Sequence, residues 1–181
     1  MNYPEPIEEQ LGTGALKDTF DWRDIPLEAI QEAIAIPDIY DPRSENKPFV
    51  SHQGRIGSCT GHSGAKVKEW QQYFEHKVWT DLSSRWVYAH NKRLDGSASE
   101  GSYSRITAQV ITEIGVCLEE EFPEENDKGV THYKNLTLAS PTAVVTAKFH
   151  TSKGYARVNI GPEYIKQAIF QNKSCLLAVP L

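Results

Sequence analysis

The residues most able to do chemistry in this chain lie together, in Gln53-Gly54-Arg55-Ile56-Gly57-Ser58-Cys59-Thr60-Gly61-His62-Ser63. A glutamine stands six residues before a cysteine, and glycines flank that cysteine at Gly57 and Gly61. A cysteine attacks as its thiolate. A helix N-terminus favours that form through partial positive charge and unpaired N–H groups. The next residues supply such a helix. Val67, Trp70, Phe74 and Val78 recur at spacings of three and four, with Lys66, Lys68, Glu69, Gln72 and Glu75 mostly between them. The pattern predicts a helix from Cys59 to about Val78, with Cys59 in its first turn and the apolar stripe inward. The bland alternative is a buried, inert cysteine behind a turn, the common fate of a lone Cys.

This segment resembles the active-site segment of the papain-like cysteine peptidases. In them a glutamine, a short glycine-containing turn and Gly-Ser-Cys lead into a helix. Gln53, Gly57, Ser58 and Cys59 match that pattern. The resemblance implies that Cys59 is the nucleophile. It implies an oxyanion hole made by the Gln53 side chain and the Cys59 backbone N–H, stabilising charge that develops in the transition state. Two positions depart from the plant and lysosomal members: Ile56 replaces a disulfide-bonded cysteine, and Thr60 replaces a tryptophan. The Ser-Cys-Thr form is similar to the bacterial, archaeal and viral branch. The resemblance further implies an α+β fold, the papain-like cysteine proteinase fold, acting on peptide or protein substrates without metal or organic cofactor. At the loop 95–103 it implies that Gly101, Ser102 and Tyr103 offer backbone groups to substrate as an extended strand. The alternative there is a helix cap by Ser102 or Ser104.

The elements that must position this site are read from periodicity and punctuation. Residues 1 to about 19 are acidic and aperiodic, an arm or loop. Asp24-Ile25-Pro26 predicts a short helix start, with Leu27, Ile30 and Ile34 inward and Pro37 ending it. Asp38-Ile39-Tyr40-Asp41-Pro42-Arg43 is similar to the opening of mature papain-like domains, so residues 1–37 form an N-terminal extension: a prosegment, a plug over the cleft, or an added surface helix. Asp81, Ser83 and Ser84, before Trp86, Val87 and His90, predict a capped second helix ending near Arg93. A third carries Ile106, Val110, Ile111 and Ile114 inward and stops at Gly115. Cys117 then reads as structural, and Glu119 to Glu125 as a solvated acidic loop rather than a metal site. Residues 38–142 make the helical lobe. In 143–181, Ala143 to His150 and Tyr155 to Ile160 read as strands, Pro162 to Asn172 as a helix, and Ser174 to Leu181 as a buried strand. These would open a β-barrel lobe that is incomplete in this chain.

A thiolate also needs an imidazole, to hold it as an ion pair and to protonate the leaving amine. In the papain-like peptidases that histidine and its asparagine follow the cysteine by about 130–150 residues, which from Cys59 falls beyond Leu181. Within the chain His62, His76, His90 and His132 read as surface or satisfied interior residues. His150, at a predicted strand end, is the best internal candidate. The expectation is the N-terminal part of a longer peptidase, with a C-terminal segment or second chain supplying His and Asn. Two other readings stay open: a non-catalytic binding module on the same fold, and a Cys-dependent acyl transferase.

The bulk properties exclude several classes. A net charge of −5 leaves no basic field for nucleic acid. No apolar run approaches the length of a membrane span. Met1-Asn2-Tyr3-Pro4-Glu5-Pro6 has neither a positive n-region nor an apolar h-region. The widely spaced Cys59, Cys117 and Cys175 make neither a disulfide framework nor a zinc pattern, so a reducing, cytoplasmic compartment is expected.

Overall fold

A computed structural model describes residues 14–42 and 50–178. Its centre is a helix, α1 (Cys59–His76), packed on a second, α2 (Ser84–Asp95). A two-residue strand, β2 (Ser102–Tyr103), follows and pairs in parallel with β1 (Ala15–Leu16), near the start of the chain. Helix α3 (Ser104–Gln109) runs on into a π-helical turn over Val110–Ile114, closed by the Gly115 N–H donating to the Val110 carbonyl at 2.9 Å. Then come two short helices, α4 (Val130–Tyr133) and α5 (Ala143–Ala147), and a longer one, α6 (Pro162–Asn172).

Helix α2 is built as its sequence predicts. The Ser83 hydroxyl accepts the Trp86 N–H at 3.0 Å and donates to the Phe122 carbonyl at 2.6 Å, so one side chain caps the helix and ties it to the following loop. Gly96, in the left-handed conformation, ends the helix. The core gathers Trp86, Val87, Val110, Ile111, Val116, Cys117 and Phe122, with Ala65 from α1. The Trp86 indole donates to the Gly115 carbonyl at 3.0 Å, so even this buried donor is satisfied.

Helix α1 begins at Cys59 as expected, but its inward face is reversed. The buried residues are Thr60, Gly61, His62, Gly64, Ala65, Lys68, Glu69 and Gln72, while Val78 is 63% exposed. Two physical reasons account for this. Gly61 and Gly64 carry no side chain, so α2 and α3 come close: a Cβ on Gly61 would stand 2.6 Å from the Ser84 carbonyl oxygen, and one on Gly64 2.5 Å from Thr107 Cγ2. The polar side chains on that face each have a dedicated partner. Lys68 Nζ donates to the Thr151 carbonyl at 2.7 Å, and the Leu82 N–H donates to Glu69 Oε1 at 3.1 Å. Trp70 and Phe74 of the expected stripe instead join an aromatic cluster with Tyr73 and Trp79, in which Trp70 stacks on Phe74 at 5.3 Å.

The expected strand over Ala143–His150 is helical. Ala143 and Ala147, four apart, are buried in the core with Trp86, whereas Val144 and Val145 face solvent. Residues 155–160 form no strand beyond a bridge of Arg157 to Pro26, and residues 174–178 form none, with Leu177 61% exposed. Among the described residues neither segment has a neighbouring strand to pair with. Residues 179–181 of the last expected strand, and Arg43 of the segment similar to a mature N-terminus, lie outside the described residues.

The helix expected after Asp24 is one 3-10 turn, Leu27–Ala29. Its neighbours are spent on other partners: the Leu27 N–H donates to the Arg157 carbonyl at 2.8 Å, and Gln167 of α6 takes both the N–H and the C=O of Ile34. Ile30 and Ile34 are therefore exposed rather than inward. No helix among the described residues is long and apolar enough to cross a membrane.

Candidate active site

Cys59 is half-buried at the first turn of α1. The turn that delivers it is braced at every step. Gly54 sits at φ 63°, a conformation that glycine adopts freely. The Gln53 side-chain amide donates to the Ile56 carbonyl at 3.3 Å, and the Ser58 N–H donates to the same carbonyl at 2.7 Å. Ile56 and Ser58 are buried. Asn126 holds the turn from outside, donating to the His52 carbonyl at 3.0 Å.

The loop carrying Gly101, Ser102 and Tyr103 stands directly against that turn. The Gly57 N–H donates to Glu100 Oε2 at 2.6 Å, linking residues 43 positions apart. Gly101 is fixed from two sides: its N–H donates to the Tyr88 hydroxyl at 3.3 Å, and its carbonyl accepts from buried Lys92 Nζ at 2.8 Å. Lys92 also pairs with Asp95, whose carboxylate accepts the Ser102 hydroxyl at 2.8 Å. Burial, with Glu100, Asp95 and Cys59 as neighbours adding to it, pushes the Tyr88 hydroxyl up to about 12, so it remains neutral. Ser102 and Tyr103 are extended, and neither Ser102 nor Ser104 caps α3 by its side chain.

That edge is occupied by the chain itself. The Ser102 N–H donates to the Gly14 carbonyl at 2.8 Å, with Ala15 opposite Ser102 and Leu16 opposite Tyr103. Farther along, Arg105 gathers the same segment: its N–H reaches Asp18 at 3.3 Å, its guanidinium reaches Asp24 Oδ2 at 2.7 Å, and it donates to the Thr19 carbonyl at 2.5 Å. Sequence reasoning missed Gly14, Tyr88, Glu100 and Arg105. The clustered Asp18, Asp21 and Asp24 were the available signal for a cationic partner, but nothing local pointed to Arg105.

None of the six histidines hydrogen-bonds Cys59 among the described residues. His62 is buried with Nε2 2.6 Å from Glu124 Oε1. His132 Nε2 lies 2.6 Å from Glu125 Oε2, His52 Nδ1 accepts the Gly54 N–H, and His76 is exposed beside Glu75. His150 Nδ1 lies 2.5 Å from Gln72 Nε2. Gln72 is ~20 Å along α1 from Cys59, at about 1.5 Å per residue, so the internal candidate is at the wrong end of the helix. His90 is interior but not satisfied: neither ring nitrogen has a hydrogen-bond partner among the described residues, and burial pulls it down to about 4.

The acidic stretch is a bonding hub rather than a solvated loop. Glu121 accepts from Thr142, Thr146 and the Leu118 N–H, and Glu125 accepts from Arg85 and Lys128. Burial raises Glu119 to about 7. Cys117 is structural, as expected, with burial pushing its thiol up to about 12.

A helical lobe opening with a cysteine at the head of its central helix defines the papain-like α+β fold, and the chain has that fold. Solved structures of papain-like cysteine proteases share it. Xylellain, a cysteine protease from Xylella fastidiosa, superposes with a TM-score of 0.69 at 20% identity, over 89% of this chain and 63% of its own. Digestive procathepsin L 3 of Tenebrio molitor larval midgut gives 0.64 at 18%, over 90% of this chain and 48% of its own. The cysteine protease and lectin-like domains of Cwp84 from Clostridium difficile give 0.56 at 15%, over 91% of this chain and 35% of its own. No family model and no curated protein matches the chain. At these identities the likeness is one of fold, and the chain spans less than two thirds of each of these structures.

Proposed function

We propose that the chain carries the nucleophile side of a papain-like cysteine endopeptidase. Cys59 attacks the scissile carbonyl, and its backbone N–H and the Gln53 amide bind the oxyanion. Gly101, Ser102 and Tyr103 hold an extended peptide or protein substrate. Residues 1–37 are an extension, of which the stretch from Gly14 to Asp24 covers the substrate edge. The observation that carries this reading is the pairing of an extended peptide with Ser102–Tyr103, beside a turn that presents Cys59. The general acid is assigned to a histidine, with its asparagine, outside these residues, in a C-terminal segment or a second chain. The reading needs no metal or organic cofactor.

The test uses a fluorogenic peptide, with Cys59→Ala as control, and iodoacetamide labelling mapped by mass spectrometry. Cys59 should label faster than Cys117 and Cys175, and the chain alone should turn over amide substrates poorly. The chemistry explains why: an oxyanion hole and binding leave residual catalysis when a catalytic partner is missing, but a leaving amine needs a proton. Equal labelling of Cys117 would refute the nucleophile assignment.

A further inference from the structure

The passage beside Cys59 is too narrow for a side chain. The Gly14 backbone is buried between Gly57 and Gly101. A Cβ on Gly14 would overlap the carbonyl carbon and oxygen of Gly57 and stand 3.0 Å from its Cα. On the opposite side, a Cβ on Gly101 would stand 2.8 Å from the Gly14 carbonyl oxygen. Three glycine backbones are stacked here, and the obstacles are backbone atoms, not the ends of flexible side chains.

We propose that the gap between Gly57 and Gly101 is a glycine-only subsite, so that the peptides this cleft binds and cleaves carry glycine at that position. The proposal rests on the peptidase reading for cleavage, and on geometry alone for binding. Both walls are pinned. Gly57 is tied by its N–H to Glu100 at 2.6 Å and followed by fully buried Ser58. Gly101 is tied to Tyr88 at 3.3 Å and to Lys92 at 2.8 Å, with Lys92 anchored on Asp95 at 3.0 Å. Widening the gap would break several of these contacts at once, so the walls do not yield to a methyl group as a flexible pocket would. The selection falls on one position. Ala15, the next residue of the bound segment, is exposed, and Leu16 is half-buried, so side chains past the constriction meet no such wall. Glycine suits the passage for a peptide running in either direction, because it has no Cβ to point at either wall.

The experiment follows Cys59 alkylation by iodoacetamide in the full chain, with the anisotropy of a fluorescein-labelled peptide as a second readout. Gly14→Ala should unseat the N-terminal segment and speed Cys59 labelling at least about fivefold, the low end of the shift that overpacking against fixed backbone gives such an equilibrium. Lys17→Ala, at an exposed position, should leave the rate unchanged. A blocked peptide with the sequence of residues 14–24 should then slow labelling of the Gly14→Ala chain, and a counterpart beginning with alanine should not at the same concentration. If Gly14→Ala does not fold, Arg105→Gln loosens the segment instead, and the two peptides compete on that chain. Equal protection by the alanine peptide, or labelling of Gly14→Ala at the wild-type rate, overturns the subsite. A Cys59 that labels no faster than Cys117 in any of these chains strikes the peptidase reading. Peptide anisotropy still decides the subsite in that case, because it does not depend on thiol reactivity.

Discussion

Arg85 is the side chain on which the polar bonding of the helical lobe converges. It is 1% exposed, yet it donates to the Tyr133 and His132 carbonyls at 2.8 Å, to the Pro123 carbonyl at 2.9 Å and to Glu125 Oε2 at 2.8 Å. Its guanidinium lies 4.1 Å from the centre of the Phe122 ring. Only a planar fork with several fixed donors meets all of these at once. Arg85→Ala takes a donor from four acceptors and opens a cavity, so it should lower unfolding stability by about 3 kcal/mol or more, measured by urea denaturation. Arg85→Lys should recover less than half of that loss, because an ammonium cannot span the same set. A loss below about 1 kcal/mol, the worth of one ordinary hydrogen bond, would show that these contacts are not cooperative. Residues of this kind were not legible in the sequence. The turn that carries Gln53 and Gly57 into a helix starting at Cys59 was, because its pattern is local. Arg85 and Glu100 find their partners some 40 residues away, at Glu125 and Gly57, and no spacing rule reports such pairs.

At the scale of elements, the close approach of α1 to its neighbours depends on two glycines that local propensity disfavours. Gly61→Ala would raise intrinsic helix propensity by nearly 1 kcal/mol. It would also place a methyl 2.6 Å from the Ser84 carbonyl oxygen and 2.7 Å from Tyr88 Cβ. Overpacking costs about 1–3 kcal/mol, so the variant should be less stable in thermal denaturation, against the direction of propensity. Tyr88 also holds Gly101, so displacing α2 should speed Cys59 alkylation as well. The same glycines explain why the inward face of α1 was misread. A hydrophobic period finds a face built from apolar side chains, whereas this one is built from missing side chains and from paired Lys68, Glu69 and Gln72. Elements with local punctuation were read well: α2, expected to end near Arg93 and ending at Asp95, the stop at Gly115, and α6, which starts at Pro162. Ala143–His150 was read as strand from its valines, but the two buried alanines one helical turn apart set its orientation. The segment 25–34 was read as helix from apolar spacing, and tertiary hydrogen bonds from Arg157 and Gln167 took its backbone instead.

For the molecule as a whole, two buried groups act on stability in opposite directions over the same pH range. His90 is buried beside Trp86, with ring centres 4.4 Å apart, and burial with the nearby Arg93 charge pulls it from 6.5 down to about 4. The unfolded chain therefore binds more protons between those values, and His90 makes stability fall as pH drops from 6.5 towards 4. Glu119 is the reverse case. Burial raises it from 4.5 to about 7, so the folded chain binds more protons, and stability falls as pH rises from 4.5 towards 7. Between pH 4.5 and 6.5 the slopes oppose each other, each with a ceiling of about 1.4 kcal/mol per pH unit, and Glu119's is reduced by its partial exposure. The wild type should therefore show a shallow profile in that window. Below 4.5 the profile should steepen, because the unfolded chain then takes up a proton at Glu125 that the folded chain, where Lys128, His132 and Arg85 hold the carboxyl down to about 2, does not. Single substitutions separate the contributions. His90→Leu removes the unpartnered imidazole, and should leave a profile that declines from pH 4.5 to 6.5. Glu119→Gln keeps an acceptor for the Glu124 N–H, now at 2.6 Å from Glu119 Oε1, and should leave a profile that rises over the same interval. Urea midpoints measured at half-unit steps from pH 4 to 7.5 supply the comparison. Profiles for the two variants that bend the same way would mean that at least one of these groups is charged in the folded chain as freely as in the unfolded one.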